Sequence, residues 1–242
     1  MAKKKEYLHE TIRNDILNKI NNGTYKENDV IPKEIDLAEA YGVSRPTVRQ
    51  AIKSLEYEGY LTRKKKGGTI VLPPKISQEF VYSIQDFNSE MEKSGRVART
   101  VLISFSREQE LDEKIENILK PIEEEHIYKM VRLRYADEVP NVFVVSYVKV
   151  DASVDFMGYD FSKESLYSVL SRLESPVVEA KRTIEVIKAD VGMSTLLSIE
   201  QNDPLFYFKT IGYSWHNDPI EYSQSYYRGD TNSFVIHINN CE

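Results

Sequence analysis

Residues 42–59 place a tight turn directly before an amphipathic helix, and this segment limits the possible fold more than any other. Gly42 permits the turn, Ser44 can cap the first N–H groups, and Pro46 falls in the first helical turn, where its missing N–H costs nothing. Gly59 stops the helix. Four apolar residues recur between these signals at helical spacing: Val48, Ala51, Ile52 and Leu55. The segment therefore predicts a helix that packs one face against a core.

The other side of this helix carries cations close to its N-terminal end. Arg45, Thr47, Arg49 and Lys53 all lie outside the apolar stripe. Cations and a hydroxyl near the N-terminus of a well-anchored helix are what docking in the DNA major groove requires. A surface helix with ordinary solvated charges is the alternative interpretation of this segment taken alone.

The flanking sequence predicts a three-helix domain that ends in a basic hairpin. A first helix is indicated by apolar residues at helical spacing: Leu8, Ile12, Ile16, Leu17 and Ile20. A second helix is predicted to open at Ile31-Pro32-Lys33-Glu34, with Leu37, Ala38 and Tyr41 facing inward, and residues 42–59 form the third helix. Gly67-Gly68 then separates two short β-prone runs, which is typical of a β-hairpin, and Lys64–Lys66 at its tip can contact phosphate. This order of elements predicts a winged helix-turn-helix.

Many residue types agree at fixed offsets with a known pattern. The motifs are Ile31-Pro32, Asp36-Leu37-Ala38, Tyr41-Gly42-Val43-Ser44-Arg45-Pro46-Thr47-Val48-Arg49, Glu58-Gly59-Tyr60-Leu61 and Gly68-Thr69. Through them, residues 7–71 resemble the DNA-binding domain of GntR-type bacterial transcription regulators. The resemblance implies that Arg45 and Arg49 contact double-stranded DNA at a palindromic operator. The predicted DNA-binding residues are Lys33, Ser44, Arg45, Pro46, Thr47, Arg49, Lys65, Lys66, Gly67 and Gly68.

Three positions depart from the family pattern. Lys33 stands where the family usually has a serine, and loss of a serine cap weakens a helix start by about 1 kcal/mol. Ile35 replaces an arginine that commonly contacts DNA, and Lys66 occupies the first wing position, which is usually glycine. The departures predict an altered operator preference and leave DNA binding itself in place.

Charge divides the chain into a basic and an acidic part, although the whole chain carries a formal charge of −6. Residues 1–75 hold 15 basic and 10 acidic side chains, which gives +5. The remainder holds 17 basic and 28 acidic side chains, which gives −11. Because only the first part attracts phosphate, DNA is expected at that end of the chain.

A length of 242 residues predicts two domains. We expect a winged helix-turn-helix at 1–72, a stiff linker at 73–83 around Pro73-Pro74, and a second domain at 84–242 that senses an effector and dimerises. Cys241 is the only cysteine, so no intrachain disulfide can form, and a reducing cytoplasm is the expected compartment. The longest apolar run, Val142–Val145, is too short to span a membrane.

Alternating strand patterns and short helical patterns characterise the second domain. Helices are predicted up to Gly95, over 111–120, over 165–173 and near 190–194. Strands are predicted near 100–107, 126–135, 142–150, 177–189, 205–215, 219–228 and 233–238. Consecutive strands with tight turns imply an antiparallel sheet, so the expected fold class is α+β.

Two arginines indicate a site for an anion in this domain. Arg132 and Arg134 project from the same face of a predicted strand, where they could bind a phosphate or carboxylate with paired N–H donors. Ser165 begins a helix whose free N–H groups favour an anion. Glu221 and Tyr227 share a face of a later strand with Ser223 and Ser225. The alternative is that the arginines face solvent and pair with carboxylates across the strands.

Three motifs carry a second resemblance: Val131-Arg132-Leu133-Arg134-Tyr135-Ala136-Asp137, Ser165-Leu166-Tyr167, and Pro219-Ile220-Glu221-Tyr222-Ser223-Gln224-Ser225-Tyr226-Tyr227-Arg228-Gly229-Asp230. Residues 77–240 are similar to the UTRA ligand-sensing domain of the HutC-like GntR branch, whose fold is related to chorismate lyase. The resemblance implies that Arg132, Arg134 and Ser165 hold a phosphate, while Tyr167, Glu221 and Tyr227 line the rest of the effector pocket. Many relatives place an acidic residue on the next strand, where this chain has Val144-Val145.

These patterns favour a regulator over an enzyme. The leading hypothesis is a homodimeric repressor that a small anionic metabolite, such as a sugar phosphate, releases from DNA. A chorismate-lyase-like enzyme and a ligand-independent DNA-binding protein are the alternatives. The sequence contains neither a catalytic motif nor a cofactor motif. Its four histidines are scattered without metal-ligand spacing: His9, His126, His216 and His237. We therefore expect no catalytic residue, no cofactor, no metal and no membrane partner.

Overall fold

The computed structural model describes residues 8–64, 67–72, 75–79 and 87–236. The chain forms two compact units, Met1–Lys75 and Ile76–Glu242. Two residues of the predicted wing, Lys65 and Lys66, lie outside the described residues.

The first unit contains three helices and a two-stranded hairpin. Their bounds are α1 Leu8–Asn21, α2 Glu34–Tyr41, α3 Arg45–Tyr57, β1 Leu61–Lys64 and β2 Gly68–Val71. The two strands pair antiparallel, with Lys64 opposite Gly68, and an isolated bridge joins Val30 to Ile70. The predicted order of three helices followed by a hairpin is confirmed.

The apolar faces of the three helices meet in one core. Each of the four predicted stripe residues of α3 is at most 1% exposed. They pack with Ile12 and Ile16 of α1, with Leu37 and Ala38 of α2, and with Leu61 of β1. Burial of one such aliphatic side chain contributes about 1.5–3 kcal/mol. The core therefore fixes α3 by one face and leaves its opposite face on the surface.

The turn between α2 and α3 has the geometry that its glycine predicts. Gly42 adopts φ 63° and ψ 36°, a left-handed conformation that glycine tolerates without steric cost. Ser44 takes the extended N-cap conformation, but its side chain makes no capping hydrogen bond. Its Oγ instead lies 2.8 Å from Oγ1 of Thr47. The predicted capping bond is wrong, because a neighbouring hydroxyl one turn later competes for the serine.

The second unit is built from eight strands among its described residues. Their bounds are β3 Ile76–Glu79, β4 Ala98–Glu108, β5 Glu125–Ala136, β6 Val139–Asp151, β7 Glu179–Lys188, β8 Pro204–Tyr213, β9 Pro219–Arg228 and β10 Asn232–Val235. Six of them form an antiparallel sheet in the order β4-β5-β6-β9-β8-β7. Two three-stranded meanders thus join through the β6–β9 pair. The predicted antiparallel α+β class is confirmed.

The two remaining strands, β3 and β10, form a separate parallel pair. Ile76 lies opposite Asn232 and is 3% exposed, packed in one cluster with Phe87, Met91 and Val144. The prediction that 73–83 is a linker is therefore wrong for residues 76–79. Pairing with a strand far along the chain leaves no local pattern in the sequence, since the partner rather than the segment itself supplies the ladder.

Helices cover both faces of the six-stranded sheet. Their bounds are α4 Phe87–Lys93, α5 Glu113–Leu119, α6 Leu166–Arg172 and α7 Val191–Leu197, with a 3₁₀ turn at Phe156–Gly158. Met91 of α4 packs with Val142, and Leu170 of α6 packs with Val148, so both helices lie against the face formed by alternate residues of β6. Helices α5 and α7 lie against the opposite face, which includes Ile127, Leu133, Phe143 and Tyr222.

Candidate functional site

The structure gathers the predicted DNA-binding residues of α3 on its solvent side. Ser44, Arg45, Pro46 and Arg49 are exposed and Thr47 is half-buried. This arrangement follows from the apolar stripe, because residues outside a buried helical stripe are left facing solvent.

The remaining described residues of the predicted DNA-binding set are also exposed. Lys33 occupies the N-cap position of α2, and its side chain makes no capping hydrogen bond. Gly67 and Gly68 are exposed at the turn of the hairpin, where Gly68 has a φ of 80°. A left-handed φ favours glycine, so the hairpin requires the second of these two residues.

A carboxylate that sequence analysis did not select joins two cations beside α3. Glu34 Oε2 accepts a hydrogen bond from Nε of Arg49 at 3.0 Å, and Nη2 of Arg49 lies 2.9 Å from the same oxygen in an ion pair. Its Oε1 accepts a hydrogen bond from Nη2 of Arg63 at 2.7 Å, and Nε of Arg63 donates to Glu56 at 2.9 Å. Arg49 and Arg63 are therefore both bound to the carboxylate of Glu34.

The same bonds set the protonation of Glu34. The hydrogen bond from Arg49 lowers the pKa of Glu34 below its ordinary value of 4.5, with a further contribution from Arg63, although partial burial acts in the opposite direction. The glutamate therefore stays ionised at neutral pH and orients the Arg49 guanidinium. Nothing in the local sequence pattern distinguishes Glu34 from an ordinary surface charge of a first helical turn.

In the second unit, a cavity of about 70 Å³ opens on the sheet face that carries α4 and α6. It is lined by all six residues predicted to bind an effector: Arg132, Arg134, Ser165, Tyr167, Glu221 and Tyr227. The arginines come from β5, while Glu221 and Tyr227 come from β9, and β6 lies between these two strands. Alternate residues of a strand share a face, so the predicted two-residue spacing brings these side chains together.

Arg132 and Arg134 each have a buried N–H donor available for a ligand. Arg132 is 3% exposed, and its Nη2 donates to Oγ of Ser146 at 3.2 Å. Within the described part of the chain, the buried Nε atoms of Arg132 and Arg134 have no hydrogen-bond partner. The Arg134 guanidinium lies 5.3 Å from the ring centre of Phe87, a cation–π contact. Buried donors without partners cost about 1–3 kcal/mol each, which an acceptor group bound in the cavity would recover.

The expected alternative, solvent-facing arginines paired with cross-strand carboxylates, is wrong for Arg132. The residues directly opposite it in the ladder are Leu102 on β4 and Val144 on β6. Neither arginine forms a salt bridge with any residue that the structure describes. The charges of these two guanidinium groups are therefore not neutralised by a direct ion pair within the described part of the chain.

A buried acid–phenol pair forms another part of the cavity wall. The hydroxyl of Tyr167 donates to Oε2 of Glu221 at 2.8 Å, and Glu221 is only 2% exposed. Burial raises the pKa of Glu221, while the Tyr167 hydrogen bond and the charge of Arg132 oppose that rise. Burial also raises the pKa of Tyr167, so its hydroxyl keeps its proton and remains a donor.

Burial acts on the other titratable groups of this cavity as well. It lowers the pKa of Arg132 to about 9, with a second contribution from the neighbouring charge of Arg134. That value still lies above neutral pH, so the guanidinium stays charged. Burial raises the pKa of Tyr227 to about 12, which keeps this phenol neutral. Of the six predicted residues, two thus contribute cations, two contribute neutral phenols and one contributes a carboxyl group to the cavity.

Several lining residues were not selected from the sequence as effector ligands: Phe87, Glu90, Ser146, Leu166, Arg182, Phe208, Thr210 and Phe234. Their strands and helices reach the cavity only through the tertiary fold. The alternation of side chains along β7 and β8 could have predicted two of them. Thr210 lies opposite Arg182 on one side and opposite Ser223 on the other, so all three residues share the cavity face. Val144 also lines the cavity and is 5% exposed, so the position where many relatives are acidic is apolar here.

Ser165 sits at the junction of two cavities. It is the N-cap residue of α6 in an extended conformation, and its side chain makes no capping hydrogen bond. It also lines a smaller space of about 20 Å³, which includes Thr100 and Lys163 in its wall and shares Arg132 and Arg134 with the main cavity. The hydroxyl of Ser165 is thereby available near both arginines.

Comparison with known protein families identifies both parts of the chain. The family model described as "Bacterial regulatory proteins, gntR family" matches residues 8–71, and the UTRA domain model matches residues 93–232. The chain belongs to the GntR family and carries a UTRA domain. It is a transcription regulator.

Relatives of this GntR regulator are named as repressors. It is 29% identical over 234 residues to the HTH-type transcriptional repressor NagR of Bacillus subtilis, which covers 96% of this chain and 94% of NagR. It is 25% identical over 197 residues to the histidine utilization repressor of Pseudomonas aeruginosa, covering 81% and 78% of the two chains. The regulator is accordingly a DNA-binding transcriptional repressor of the GntR and HutC type with a UTRA effector domain.

Solved structures agree with this assignment at the level of the fold. The regulator superposes on PhnF from Mycobacterium smegmatis with a TM-score of 0.67 at 23% identity, covering 94% of this chain and 99% of PhnF. YydK from Bacillus subtilis gives a TM-score of 0.55 at 18% identity, with 97% of this chain and 100% of YydK covered.

Among the described residues, every helix is too short or too polar to cross a membrane.

Proposed function

We propose that this GntR regulator is released from its operator when a small anionic metabolite, most simply a sugar phosphate, binds the UTRA cavity. One observation carries the proposal: two guanidinium groups, whose buried Nε atoms have no hydrogen-bond partner among the described residues, face a buried carboxyl–phenol pair across one cavity. A phosphoryl group supplies several acceptor oxygens and negative charge, which match the arginine side.

The opposite wall favours a ligand with hydroxyl or amino groups as well as an anion. Glu221 can accept a hydrogen bond from such a group, and Tyr167 and Tyr227 can donate to its oxygens or accept from it. The apolar Val144 removes one recognition point that an acidic residue offers in many relatives. The supported ligand class is therefore a phosphorylated sugar or a comparable polyhydroxylated anion.

Calorimetry with the full-length protein tests the ligand class. Phosphorylated sugars should bind, and their unphosphorylated counterparts should bind at least about tenfold more weakly, because one charge-assisted hydrogen bond contributes about 1.5–3 kcal/mol. The double substitution Arg132→Ala with Arg134→Ala should abolish this preference. Equal affinity for phosphorylated and unphosphorylated sugars in the wild-type protein would refute the assignment.

A charge-matched control separates local binding from a change in overall charge. Arg99→Ala with Arg107→Ala removes two cations from β4 that do not line the cavity. Sugar-phosphate affinity should stay within about twofold of wild type in this control. A comparable loss in both double variants would show that net charge, rather than the cavity, determines affinity.

The DNA side of the proposal rests on α3 and the wing. We propose that Arg45 and Arg49, aided by Ser44, Thr47, Lys33 and the wing residues, contact a palindromic operator as one half of a homodimer. The residues of α3 in this set lie on the side of the helix opposite the buried stripe. A two-fold dimer places two such helices one helical turn of DNA apart, about 34–36 Å. Analytical ultracentrifugation and footprinting test the dimer and the spacing.

Induction requires a difference in affinity between two arrangements of this dimer. A ligand that binds both arrangements equally shifts nothing, however tightly it binds. The effector is proposed to prefer the arrangement whose recognition helices do not match the operator spacing. Release of operator DNA by added ligand, measured by fluorescence anisotropy, tests that step directly.

A further inference from the structure

A second and larger cavity, of about 280 Å³, lies at another part of the UTRA sheet. It is built where β5 begins, β6 ends and the turn between β8 and β9 passes, and its lining includes Leu170 and Leu173 at the end of α6. None of its lining residues belongs to the proposed effector cavity. It is therefore a separate space, which the proposed function leaves without a role.

Negative charge prevails around this second cavity. Four carboxylates line it, Glu125, Asp151, Glu174 and Asp218, against one lysine, Lys149, and one histidine, His216. Lys149 is 4% exposed, with its Nζ 2.8 Å from Oδ1 of Asp218 and 3.5 Å from Oε2 of Glu125. One lysine cannot neutralise four carboxylates, so an excess of negative charge remains at the cavity mouth, where Asp151 and Glu174 are exposed.

The rest of the lining suits an apolar body and a cation. Val150, Leu170 and Ile220 are buried and form apolar wall. Trp215, the only tryptophan of the chain, stands beside the cavity with 74% of its surface exposed. A tryptophan face is the strongest aromatic partner for an ammonium or guanidinium group. An indole so exposed gains little from packing in the described fold, so a ligand would have this face available.

We propose that this second cavity binds an organic cation: an ammonium or guanidinium group attached to a compact apolar body. The cation takes the place between the Trp215 ring and the exposed carboxylates of Asp151 and Glu174, and the apolar body contacts Val150 and Ile220. The excess of negative charge selects cations over neutral molecules of the same shape. The effector cavity, with its paired arginines, excludes the same ligand by charge repulsion.

Trp215 is its own reporter for the test. Benzylammonium is titrated into the full-length protein while tryptophan fluorescence is followed, with benzyl alcohol as a neutral probe of nearly the same shape. Benzylammonium should change the fluorescence saturably, and benzyl alcohol should bind at least about threefold more weakly, because it lacks the cation that the indole ring attracts. No saturable response to benzylammonium, or equal binding of the two probes, would overturn the proposal.

Variants locate the bound cation. Asp151→Asn with Glu174→Gln should weaken benzylammonium binding about three- to tenfold, measured by calorimetry, because two opposite charges are removed from the cavity. Glu110→Gln with Glu138→Gln removes the same charge from outside the cavity and should leave affinity within about twofold. Thermal unfolding verifies that both double variants fold. A loss of benzylammonium binding in Arg132→Ala with Arg134→Ala would place the probe in the effector cavity and overturn the assignment.

Discussion

At the residue scale, the protein places cations in two contrasting environments. Arg49 is nearly half exposed and held by Glu34, so it keeps its hydration and can exchange the glutamate for a phosphate or a base. Arg132 is buried beside Ser146, and its Nε has no hydrogen-bond partner in the part of the chain that the structure describes. The first environment suits a polyanion that covers the surface, and the second suits a small anion that enters a cavity.

Removal of Arg49 should abolish specific DNA binding and leave the fold intact. The Arg49→Ala variant loses a cation from the exposed face of α3, and its ion pair with Glu34 contributes at most about 1 kcal/mol because it is partly solvated. Gel-shift titration should show loss of operator preference. The slope of log affinity against log salt concentration for the residual binding should decrease in magnitude by about 1. Wild-type affinity in this variant would contradict the proposed interface. Circular dichroism provides the control for folding.

Acid unfolding should reveal the role of Glu34. Its pKa is lowered in the folded protein, so its contribution to stability is complete above the unfolded value of 4.5 and is lost as the pH falls through the lower folded pKa. The Glu34→Gln variant lacks that titration. Compared with wild type, its free energy of unfolding should be lower at neutral pH, and the difference should shrink below about pH 4.5. A difference that does not vary with pH would rule out the ion pairs as its cause.

At the element scale, α3 is fixed by its core and β9 by its register. The stripe of α3 is fully buried, so the helix cannot rotate without exposing it. In β9, Glu221, Ser223, Ser225 and Tyr227 share the cavity face because side chains alternate along a strand. A slip by one residue would turn all four away from the arginines. Both elements therefore carry their functional residues through the packing of the residues between them.

Two adjacent substitutions in α3 should separate packing from charge. Ile52→Ala creates a cavity in the core of the first unit and should lower its free energy of unfolding by about 2–5 kcal/mol. Lys53→Ala, one residue later on the exposed side, should change it by less than about 0.5 kcal/mol. Urea unfolding of the full-length protein, followed by circular dichroism, measures both. Similar losses in the two variants would mean that α3 is not anchored by one face.

At the scale of the whole molecule, DNA binding and effector sensing belong to different compact units. The first unit carries the exposed cations of α3, and the second carries the buried arginine cavity. Formal charge follows the same division, with +5 on residues 1–75 and −11 on the remainder. A repressor with this organisation can lose either activity without losing the other.

The double substitution Arg132→Ala with Arg134→Ala should uncouple the two activities. Operator affinity should remain within about twofold of wild type, because neither arginine belongs to the DNA-binding unit. Release of DNA by the effector should disappear, since a ligand without differential affinity for the two arrangements shifts no population. Fluorescence anisotropy with labelled operator measures both quantities. Normal release of DNA by the effector in this variant would exclude the arginine cavity as the sensor.

Much of the fold and part of the site could be predicted from local sequence patterns. The apolar stripe of α3 is a local pattern, and its residues are buried as predicted. The alternation along β5 and β9 is also local, and the side chains that it places on one face line the same cavity. The capping bond of Ser44 failed as a prediction because Thr47 competes for its hydroxyl. The prediction of a linker failed at residues 76–79, because β10 provides a partner strand for β3.

The buried face of α3 and the strand residues that share a face could be predicted from the sequence, because each follows from the period of a single element. The division of charge could be predicted by counting side chains. Contacts between distant segments came from the folded structure alone: Glu34 with Arg63, Arg182 and Thr210 with the arginine cavity, and Trp215 with a second cavity. Such a contact depends on the packing of everything between the two segments. Local periodicity carries no record of that packing.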